Sequence, residues 1–296
     1  MSLDPGRVAV SRLNPMEIAG PTELLAYRLV GRELTPDSTV IEVRGRRIGD
    51  GFFGLIAGPC TVETREQTLE TARAVAAAGA TVLRGGAFKP RTSPYAFQGL
   101  GSKGLEILAE AREQTGLPIV TELLDPRDVE EVAGVTDIIQ IGARNMQNFN
   151  LLAEVGRVPK PVLLKRSPAA TVEDLLMAAE YVAKEGNDRV ILCERGIKTF
   201  ERSTRYTLDL SAVPVLKRET HLPVIVDPSH AAGRSDLVLP LARAAVAAGA
   251  DGVMIEVHPQ PEDALCDGPQ QIRVGEFARF ADEIRTVVAL MGKTIG

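Results

Sequence analysis

Residues 83–95 read LRGGAFKPRTSPY and hold three cations, Arg84, Lys89 and Arg91, with no acidic residue among them. The whole chain has a formal net charge of −5, so this is a local concentration of positive charge. Two adjacent glycines let the backbone come close to a bound group, because glycine has no side chain. Guanidinium groups bind phosphate and carboxylate oxygens in paired hydrogen bonds. The stretch therefore predicts a binding site for an anion.

A second set of residues has the chemistry of metal ligands. Cys60, His230, Glu256 and Asp267 supply one thiol, one imidazole and two carboxylates. This mixture suits a divalent transition metal. The four residues lie far apart in the sequence, so their spacing alone is a weak signal. Cys266 is adjacent to Asp267 and competes as the thiol ligand, but we favour Cys60 because it directly follows a predicted strand and a Gly-Pro turn.

The elements that must position these residues form a regular series. Short apolar, β-branched runs alternate with longer amphipathic segments, and they predict eight strands at 54–58, 81–85, 118–122, 137–142, 161–166, 189–196, 223–230 and 251–259. Such uniformly apolar runs are typical of parallel strands covered on both faces. The intervening segments, for example 66–79 and 171–186, predict helices. Thr171 precedes an acid by three residues, which is close to a capping box.

Eight strand–helix units over about 240 residues predict an α/β fold, a (β/α)8 TIM barrel. A doubly wound open sheet is the alternative, but it requires a glycine-rich dinucleotide turn after the first strand, and GPCTVE is not one. In a TIM barrel the active site lies at the C-terminal strand ends. Every predicted end carries ionisable residues: Cys60, Arg84, Glu122, Arg144, Lys165, Glu194 with Arg195, Asp227 with His230, and Glu256 with His258.

The barrel brings six cations to one opening, namely Arg84, Lys89, Arg91, Arg144, Lys165 and Arg195. Crowded positive charge is unfavourable unless anions neutralise it. One phosphate rarely needs six cations. We therefore predict two anionic substrates, or one substrate with several anionic groups.

Composition excludes several other classes of protein. A content of 45% hydrophobic and 25% charged residues is ordinary for a globular protein. The net charge of −5 argues against a nucleic-acid surface, and the lack of a long apolar run argues against a membrane span. Three cysteines are too few for a disulfide framework and fit a reducing cytoplasm. Cys193, inside an apolar strand, is predicted to lie in the core, whereas His221, before a strand, is predicted to lie at the surface.

Residues 1–50 are predicted to form an N-terminal extension to a catalytic barrel at 51–296. Within the extension, 38–50 reads as two strands around an Arg-Gly turn, and 16–34 predicts a short helix. The first ~37 residues are too few to fold as an independent ligand-binding domain. We therefore expect no feedback inhibition by aromatic amino acids.

Seven stretches of the sequence together closely resemble the 3-deoxy-D-arabino-heptulosonate 7-phosphate (DAHP) synthases: GPCTVE, RGGAFKPRTSPYAFQGLG, IGARNMQNF, LLKR, CERGIKTFE, VDPSHAAGR and EVHPQPEDALCDGPQ. The resemblance covers roughly residues 25–290. It is to the short-chain branch, which also resembles the 3-deoxy-D-manno-octulosonate 8-phosphate (KDO8P) synthases.

The resemblance implies a cytoplasmic transferase that condenses phosphoenolpyruvate with D-erythrose 4-phosphate at a divalent metal. This reaction is the first step of the shikimate pathway, towards chorismate and the aromatic amino acids. Mn²⁺, Co²⁺, Fe²⁺ and Zn²⁺ are all compatible with it. The family is commonly dimeric or tetrameric, so a homo-oligomer is expected. In relatives, a hairpin like that at 38–50 covers the bottom of the barrel.

The resemblance also assigns roles to residues. The phosphoenolpyruvate site would comprise Arg84, Lys89, Arg144, Lys165 and Arg195. The erythrose 4-phosphate site would comprise Lys89, Pro90, Arg91 and Thr92, with Arg91 on the phosphate. The metal would be held by Cys60, His230, Glu256 and Asp267. The catalytic residues would be Cys60, Lys89, Glu122 and His230; either Glu122 or Lys89 would transfer the proton of the attacking water, and the sequence does not choose between them.

Three rival functions follow from the same residues. A KDO8P synthase would use arabinose 5-phosphate, but it typically carries KANRSS-like residues where this chain has KPRTSP. A Schiff-base aldolase would use Lys165 as its nucleophile. A barrel that only binds sugar phosphates would have no need of the four metal-ligand residues.

Overall fold

The protein is described here by a computed structural model that covers residues 27–296. The strands in this range are, in chain order, β1 (Val40–Val43), β2 (Arg46–Gly49), β3 (Phe52–Gly58), β4 (Val82–Arg84), β5 (Ile119–Leu123), β6 (Ile138–Ile141), β7 (Val162–Lys165), β8 (Val190–Glu194), β9 (Val224–Val226), β10 (Gly252–His258), β11 (Ile272–Arg273) and β12 (Thr294–Ile295).

Strands β3 to β10 form a closed parallel barrel. Each strand pairs with the next one along the chain, and β10 pairs with β3 from Gly252↔Gly54 to Glu256↔Gly58. The short strand β11 pairs with β10, and β12 pairs with β3. All eight predicted strands are present, and the predicted (β/α)8 barrel is confirmed.

The helices in the described range are α1 (Arg65–Ala77), α2 (Ser102–Thr115), α3 (Val129–Val135), α4 (Phe149–Gly156), α5 (Val172–Lys184), α6 (Ala212–Glu219), α7 (Pro228–Ala232), α8 (Val238–Ala247) and α9 (Val274–Leu290). The predicted helices at 66–79 and 171–186 correspond to α1 and α5. The Thr171 hydroxyl accepts from the backbone N–H of Asp174, whose carboxylate accepts in return, so the capping box is complete. Across the residues that the structure describes, no helix is both long and apolar enough to span a bilayer.

One predicted strand is too long. The run 223–230 was predicted as a strand throughout, but β9 ends at Val226 and α7 begins at Pro228. The carboxylate of Asp227 caps this helix by accepting from the backbone N–H of His230 at 2.9 Å. Proline favours the first turn of a helix. His230 is therefore carried by a helical turn that directly follows the strand.

The hairpin of β1 and β2 closes the N-terminal end of the barrel. The predicted turn is present, with positive φ at Arg44 and Gly45, as a tight hairpin requires. Ile41, Val43 and Ile48 pack against the residues that fill the barrel interior, namely Ile56, Val82, Val120, Ile138, Leu163, Ile191, Cys193, Ile225 and Met254. Cys193 lies in the core as predicted. The opposite end of the barrel remains open.

The segment before the hairpin differs from its prediction. Of the helix predicted at 16–34, residues 16–26 lie outside the described range, and 27–34 form turns with one bridge between Gly31 and Thr220. This segment covers His221, which is 4% exposed, so the prediction of a surface histidine is wrong. Its Nδ1 lies 2.6 Å from the Thr39 hydroxyl and its Nε2 lies 3.0 Å from the Leu29 carbonyl oxygen.

Candidate active site

A cavity of about 440 Å³ opens at the C-terminal ends of the barrel strands. All six cations that were predicted to converge line it: Arg84, Lys89, Arg91, Arg144, Lys165 and Arg195. Arg84, Lys165 and Arg195 are also among the buried residues of the protein. Charged side chains are rarely so buried unless they are paired. These buried cations therefore require acidic partners beneath the cavity.

Two of these buried cations are paired with buried acids. Arg84 donates a hydrogen bond to Glu256, and Lys165 Nζ lies 2.5 Å from Asp227 Oδ2. The same Asp227 oxygen lies 2.7 Å from His230 Nδ1. A carboxylate partner places the ring proton on Nδ1. Nε2 of His230 is then the atom with a free lone pair, and it lies 3.4 Å from Glu256 Oε1.

The candidate metal ligands form two overlapping groups. The expectation of a single four-ligand group is met only in part: Cys60, Cys266 and Asp267 form one group, and His230, Glu256 and Asp267 form the other, with ligand atoms in each within 4.8 Å of one another. The Cys60 Sγ–Asp267 Oδ2 distance is 3.4 Å, as is the His230 Nε2–Glu256 Oε1 distance. Ligands on one tetrahedral ion lie roughly 3.4–3.8 Å apart. The donor set therefore fits a divalent metal.

The ammonium group of Lys89 shows that this position stabilises positive charge. Its Nζ lies 2.7 Å from Cys60 Sγ and 3.1 Å from Asp267 Oδ2. Burial alone would lower the pKa of Lys89, but its interactions with Cys60, Glu256 and Asp267 outweigh burial and raise it. A cation is therefore favoured between a thiol and a carboxylate that both belong to the candidate ligand set.

The protonation states of the other candidate ligands suit a metal. Burial lowers the pKa of His230 to about 4, so its imidazole is neutral near pH 7, as a ligand must be. Burial alone would raise the pKa of Glu256, but His230, Arg84 and Lys89 outweigh it and hold that pKa at about 2. Burial raises the pKa of the Cys60 thiol, so a bound cation would have to displace its proton.

Glu122 lies at the end of β5 and faces the cavity. Burial raises the pKa of its carboxyl group despite the cations around it. Gln140 Nε2 donates to its Oε2 at 3.2 Å. The other oxygen lies against the backbone of Gly142, where a Cβ atom would be only 1.9 Å from Oε1. Glycine at this position therefore leaves the space that the carboxyl group occupies.

The segment 89–92 connects the two sides of the cavity. Its four residues, Lys89, Pro90, Arg91 and Thr92, all line the cavity wall. Arg144 donates to the Pro90 carbonyl oxygen at 3.0 Å. Arg91 donates to Cys266 Sγ, in the loop after β10. The segment is thus held from both sides.

The structure adds residues that the sequence did not single out. Arg205 Nη1 lies 3.1 Å from Asp267 Oδ1 and 3.1 Å from Gln270 Oε1, and Gln270 Nε2 donates to Glu256 Oε2 at 2.6 Å. Gln140 had a recognisable signal, as a polar residue in the middle of an apolar strand, and Gln270 ends the family-like stretch EVHPQPEDALCDGPQ. Arg205 lies in a loop whose sequence has no distinguishing pattern.

One strand-end acid does not face the cavity. Glu194 accepts from Arg166 Nη1 at 2.9 Å and from the backbone N–H of Gly196 at 2.6 Å. Arg166 also donates to Asp209 at 2.9 Å. This buried network joins the ends of β7 and β8 to the following loop. Arg195, the next residue along the chain, lines the cavity instead.

Comparison with known proteins relates the chain to one family. The model of the DAHP synthetase I family matches residues 37–291. A phospho-2-dehydro-3-deoxyheptonate aldolase of Thermotoga maritima is 55% identical over 269 residues, which are 91% of this chain and 80% of the relative. A 2-dehydro-3-deoxyphosphooctonate aldolase of Syntrophotalea carbinolica is 36% identical over 269 residues, which are 83% of this chain and 96% of the relative.

Solved structures agree with the sequence comparison. The crystal structure of a phospho-2-dehydro-3-deoxyheptonate aldolase (DAHP synthase) from Thermotoga maritima matches with a TM-score of 0.89 at 54% identity, over 91% of this chain and 79% of that chain. A truncated form of 3-deoxy-D-arabino-heptulosonate 7-phosphate synthase from the same organism matches with a TM-score of 0.86 at 50% identity, over 92% of this chain and all of the other.

We expect the stability of the metal-free protein to fall as the pH drops from 6.5 towards 4, in part because of His230. The pKa of His230 is about 4 in the folded protein and about 6.5 in an unfolded chain, so between these values only the unfolded state binds the proton. Its contribution, about 3 kcal/mol, is present above pH 6.5 and lost near pH 4.

This contribution is measured by comparing the wild type with His230→Asn. Urea unfolding in the presence of EDTA, at several pH values between about 5 and 7.5, gives the free energy of unfolding of each protein. The free energy of unfolding should fall less steeply with pH in His230→Asn than in the wild type. Equal slopes would show that the imidazole of the folded protein is not kept neutral.

Proposed function

The chain belongs to the DAHP synthetase I family, and on this premise we propose that it condenses phosphoenolpyruvate with D-erythrose 4-phosphate and water to give DAHP and inorganic phosphate. It is a transferase of the shikimate pathway, which supplies chorismate and the aromatic amino acids. The observation that carries the site assignment is the placement of six cations around one cavity, directly beside two groups of metal ligands. The two substrates together carry two phosphates and one carboxylate.

Phosphoenolpyruvate is assigned to the inner part of the cavity, where it contacts Arg84, Lys89, Arg144, Lys165 and Arg195. Arg84 supports this assignment, because its guanidinium is buried against Glu256 on one side. Its Nε is one of four buried side-chain polar atoms in residues 27–296 that have no hydrogen-bond partner. An anionic oxygen would satisfy this donor, and unsatisfied buried donors are costly.

Erythrose 4-phosphate is assigned to Lys89, Pro90, Arg91 and Thr92. Arg91 binds the phosphate, for which the guanidinium fork is suited. In the structure Arg91 donates to Cys266 Sγ, so it exchanges this contact for the phosphate when the substrate binds. The hydrogen bond from Arg144 to the Pro90 carbonyl oxygen connects the two substrate sites directly. Holding both substrates at reacting distance can lower the activation barrier by up to ~7–11 kcal/mol.

A divalent metal would be held by Cys60, His230, Glu256 and Asp267, with Mn²⁺, Co²⁺, Fe²⁺ and Zn²⁺ all suited to the donors. When bound, it supplies Lewis-acid polarisation of the aldehyde carbonyl. Asp227 keeps the His230 lone pair on Nε2, and Arg84 with Gln270 holds the Glu256 carboxylate in place. Hydrogen bonds of this kind orient metal ligands.

The reaction forms a carbon–carbon bond between C3 of phosphoenolpyruvate and the aldehyde carbon. Water adds to C2, where positive charge develops, and the C–O bond to phosphate then breaks. Glu122 is assigned the proton of this water, because its raised pKa brings it nearer to neutral pH. Lys89 is assigned a cationic role instead, since its raised pKa keeps it protonated.

The rival enzymatic functions are less well supported. The heptonate aldolase is 55% identical to this chain and the octonate aldolase 36%, and residues 89–94 of this chain read KPRTSP. A Schiff-base nucleophile needs a free amine, whereas Lys165 Nζ is engaged by the buried carboxylate of Asp227 at 2.5 Å. A Schiff-base aldolase also gives no reason for metal ligands to adjoin the cavity.

A homo-oligomer, dimeric or tetrameric, is proposed from the family and from exposed aromatic residues. Tyr95 and Phe200 are both 97% exposed, each in a loop at the open end of the barrel. Phe149 and Tyr181 stack on one another at the surface formed by α4 and α5. Aromatic side chains are enriched in protein interfaces. The biosynthetic function favours a cytoplasmic location.

The proposed activity is tested by phosphate release. Phosphoenolpyruvate with erythrose 4-phosphate should release phosphate, EDTA should stop the reaction, and added Mn²⁺ or Co²⁺ should restore it. Faster release with arabinose 5-phosphate would identify a KDO8P synthase. Inactivation by borohydride in the presence of substrate would identify a Schiff-base aldolase. Activity that survives exhaustive chelation, with no metal found by elemental analysis, would remove the metal from the mechanism.

Arg91→Ala should raise the apparent KM for erythrose 4-phosphate far more than that for phosphoenolpyruvate. Loss of a buried charged contact costs at least about 2 kcal/mol, which is a factor of roughly 30. Arg127→Ala is the control, because Arg127 is an exposed arginine paired with Asp125 and does not line the cavity. Steady-state kinetics with each substrate varied in turn measure both values. Equal increases for the two substrates would mean that the two phosphate sites are wrongly divided.

Gly142→Ala should lower kcat with smaller changes in either KM. The new Cβ would occupy the position of the Glu122 carboxyl group, and a displaced acid–base group costs a factor of about 100 or more. Gly134→Ala, in α3, is the matched control, since a Cβ at Gly134 meets nothing within 4 Å. A normal kcat in a correctly folded Gly142→Ala enzyme would exclude Glu122 from proton transfer.

A further inference from the structure

Two thiols from opposite ends of the barrel sequence meet beside the cavity. Cys60 follows β3 and Cys266 lies in the loop after β10, and both are free and buried. Their sulfur atoms and an oxygen of Asp267 all lie within 4.8 Å of one another. Cys60 thus belongs to a group that contains neither His230 nor Glu256. The proposed catalytic metal set does not account for Cys266.

The spacing of this group is that of ligands around one ion. Asp267 Oδ2 lies 3.4 Å from Cys60 Sγ and 4.0 Å from Cys266 Sγ. A sulfur at about 2.3 Å and an oxygen at about 2.1 Å from a tetrahedral ion are roughly 3.6 Å apart. The two observed distances lie on either side of this value. Small side-chain adjustments therefore suffice to close the group around a metal.

The surroundings of the two sulfurs differ from those of a thiol in an apolar core. Lys89 Nζ lies 2.7 Å from Cys60 Sγ, and Arg91 donates to Cys266 Sγ. Cys193, by contrast, lies among the apolar side chains of the barrel interior. Each sulfur of the pair thus already faces positive charge, and the shared Asp267 connects them to the cavity, whose lining it joins.

We infer that Cys60, Cys266 and Asp267 form a second mode of metal binding, selective for thiophilic divalent ions such as Zn²⁺ and Cd²⁺. Two sulfurs and one carboxylate favour soft ions, whereas the His230–Glu256 side of the site suits harder ions such as Mn²⁺. The two modes share Cys60 and Asp267, so one excludes the other. The inference rests on the proposed function only through these two shared ligands.

The second mode of metal binding also affects residues of the proposed erythrose 4-phosphate site. An ion held by both sulfurs replaces the contacts of Lys89 with Cys60 and of Arg91 with Cys266, and both cations belong to the proposed erythrose 4-phosphate site. A thiophilic ion in this mode therefore changes that site as well as the ligand set. The selectivity of the protein among metals is then set by Cys266, a residue outside the catalytic set.

Cd²⁺ added to the reduced, metal-free full-length protein tests the inference, because each thiolate bound to cadmium adds ultraviolet charge-transfer absorbance. The band should be about twice as strong in the wild type as in Cys266→Ser, and Cd²⁺ affinity should fall at least about tenfold in that variant. His230→Asn should keep the full band. Cys193→Ser is the control and should match the wild type in band and affinity.

A full-strength band and unchanged affinity in Cys266→Ser would overturn the inference, as would loss of the band in His230→Asn. X-ray absorption of the Zn²⁺-loaded wild type gives a second measurement that needs no variant: two sulfur neighbours support the two-thiolate mode, and one sulfur contradicts it. Phosphate release by the Mn²⁺-loaded wild type reports the proposed function separately, so failure of one is distinguishable from failure of the other.

Discussion

The buried ion pair between Arg84 and Glu256 sets the conditions for the rest of the site. Their side chains are 5% and 0% exposed, and taking such charges out of water costs several kcal/mol per ion unless each is fully paired. Glu256 meets this requirement through Arg84 and Gln270, and Asp227 meets it through Lys165 and His230. The acids thus hold the cations that line the cavity, while the cations keep the acids ionised and able to serve as ligands.

The barrel makes this arrangement possible because it closes one end and leaves the other open. The β1–β2 hairpin covers the N-terminal end with apolar side chains, and the cavity opens at the opposite strand ends. There the strands approach closely: a Cβ atom at Gly58 would lie 2.0 Å from the Arg84 carbonyl oxygen, and the φ of Gly58 is +155°. Glycine thereby lets β3 deliver Cys60 directly beneath Arg84, which donates to the Cys60 carbonyl oxygen at 3.4 Å.

The features that local sequence patterns encode were predicted correctly, whereas features that depend on contacts between distant segments were missed. Strands, helices and the hairpin have a periodicity that a single window displays, and the register of a barrel then places Arg84 and Lys165 at the same end. His221 was misjudged because the segment that buries it lies some 190 residues away in the chain. The direction of a side chain at a strand end also could not be predicted from the sequence. Glu194 ends a strand as Glu122 does, but its carboxylate contacts Arg166 and points away from the cavity.

Lys89 links the metal-ligand groups to the substrate cavity. Its ammonium lies between Cys60 and Asp267 and also lines the substrate cavity, so it belongs to both halves of the site. One ammonium cannot neutralise Asp267 and a phosphorylated substrate to the full extent at the same time. Added positive charge at Asp267 therefore leaves Lys89 more available to an anion, and the reverse holds equally, because such coupling between two sites is reciprocal. We therefore expect the binding of a cation at Asp267 and of an anion in the cavity to be linked through Lys89.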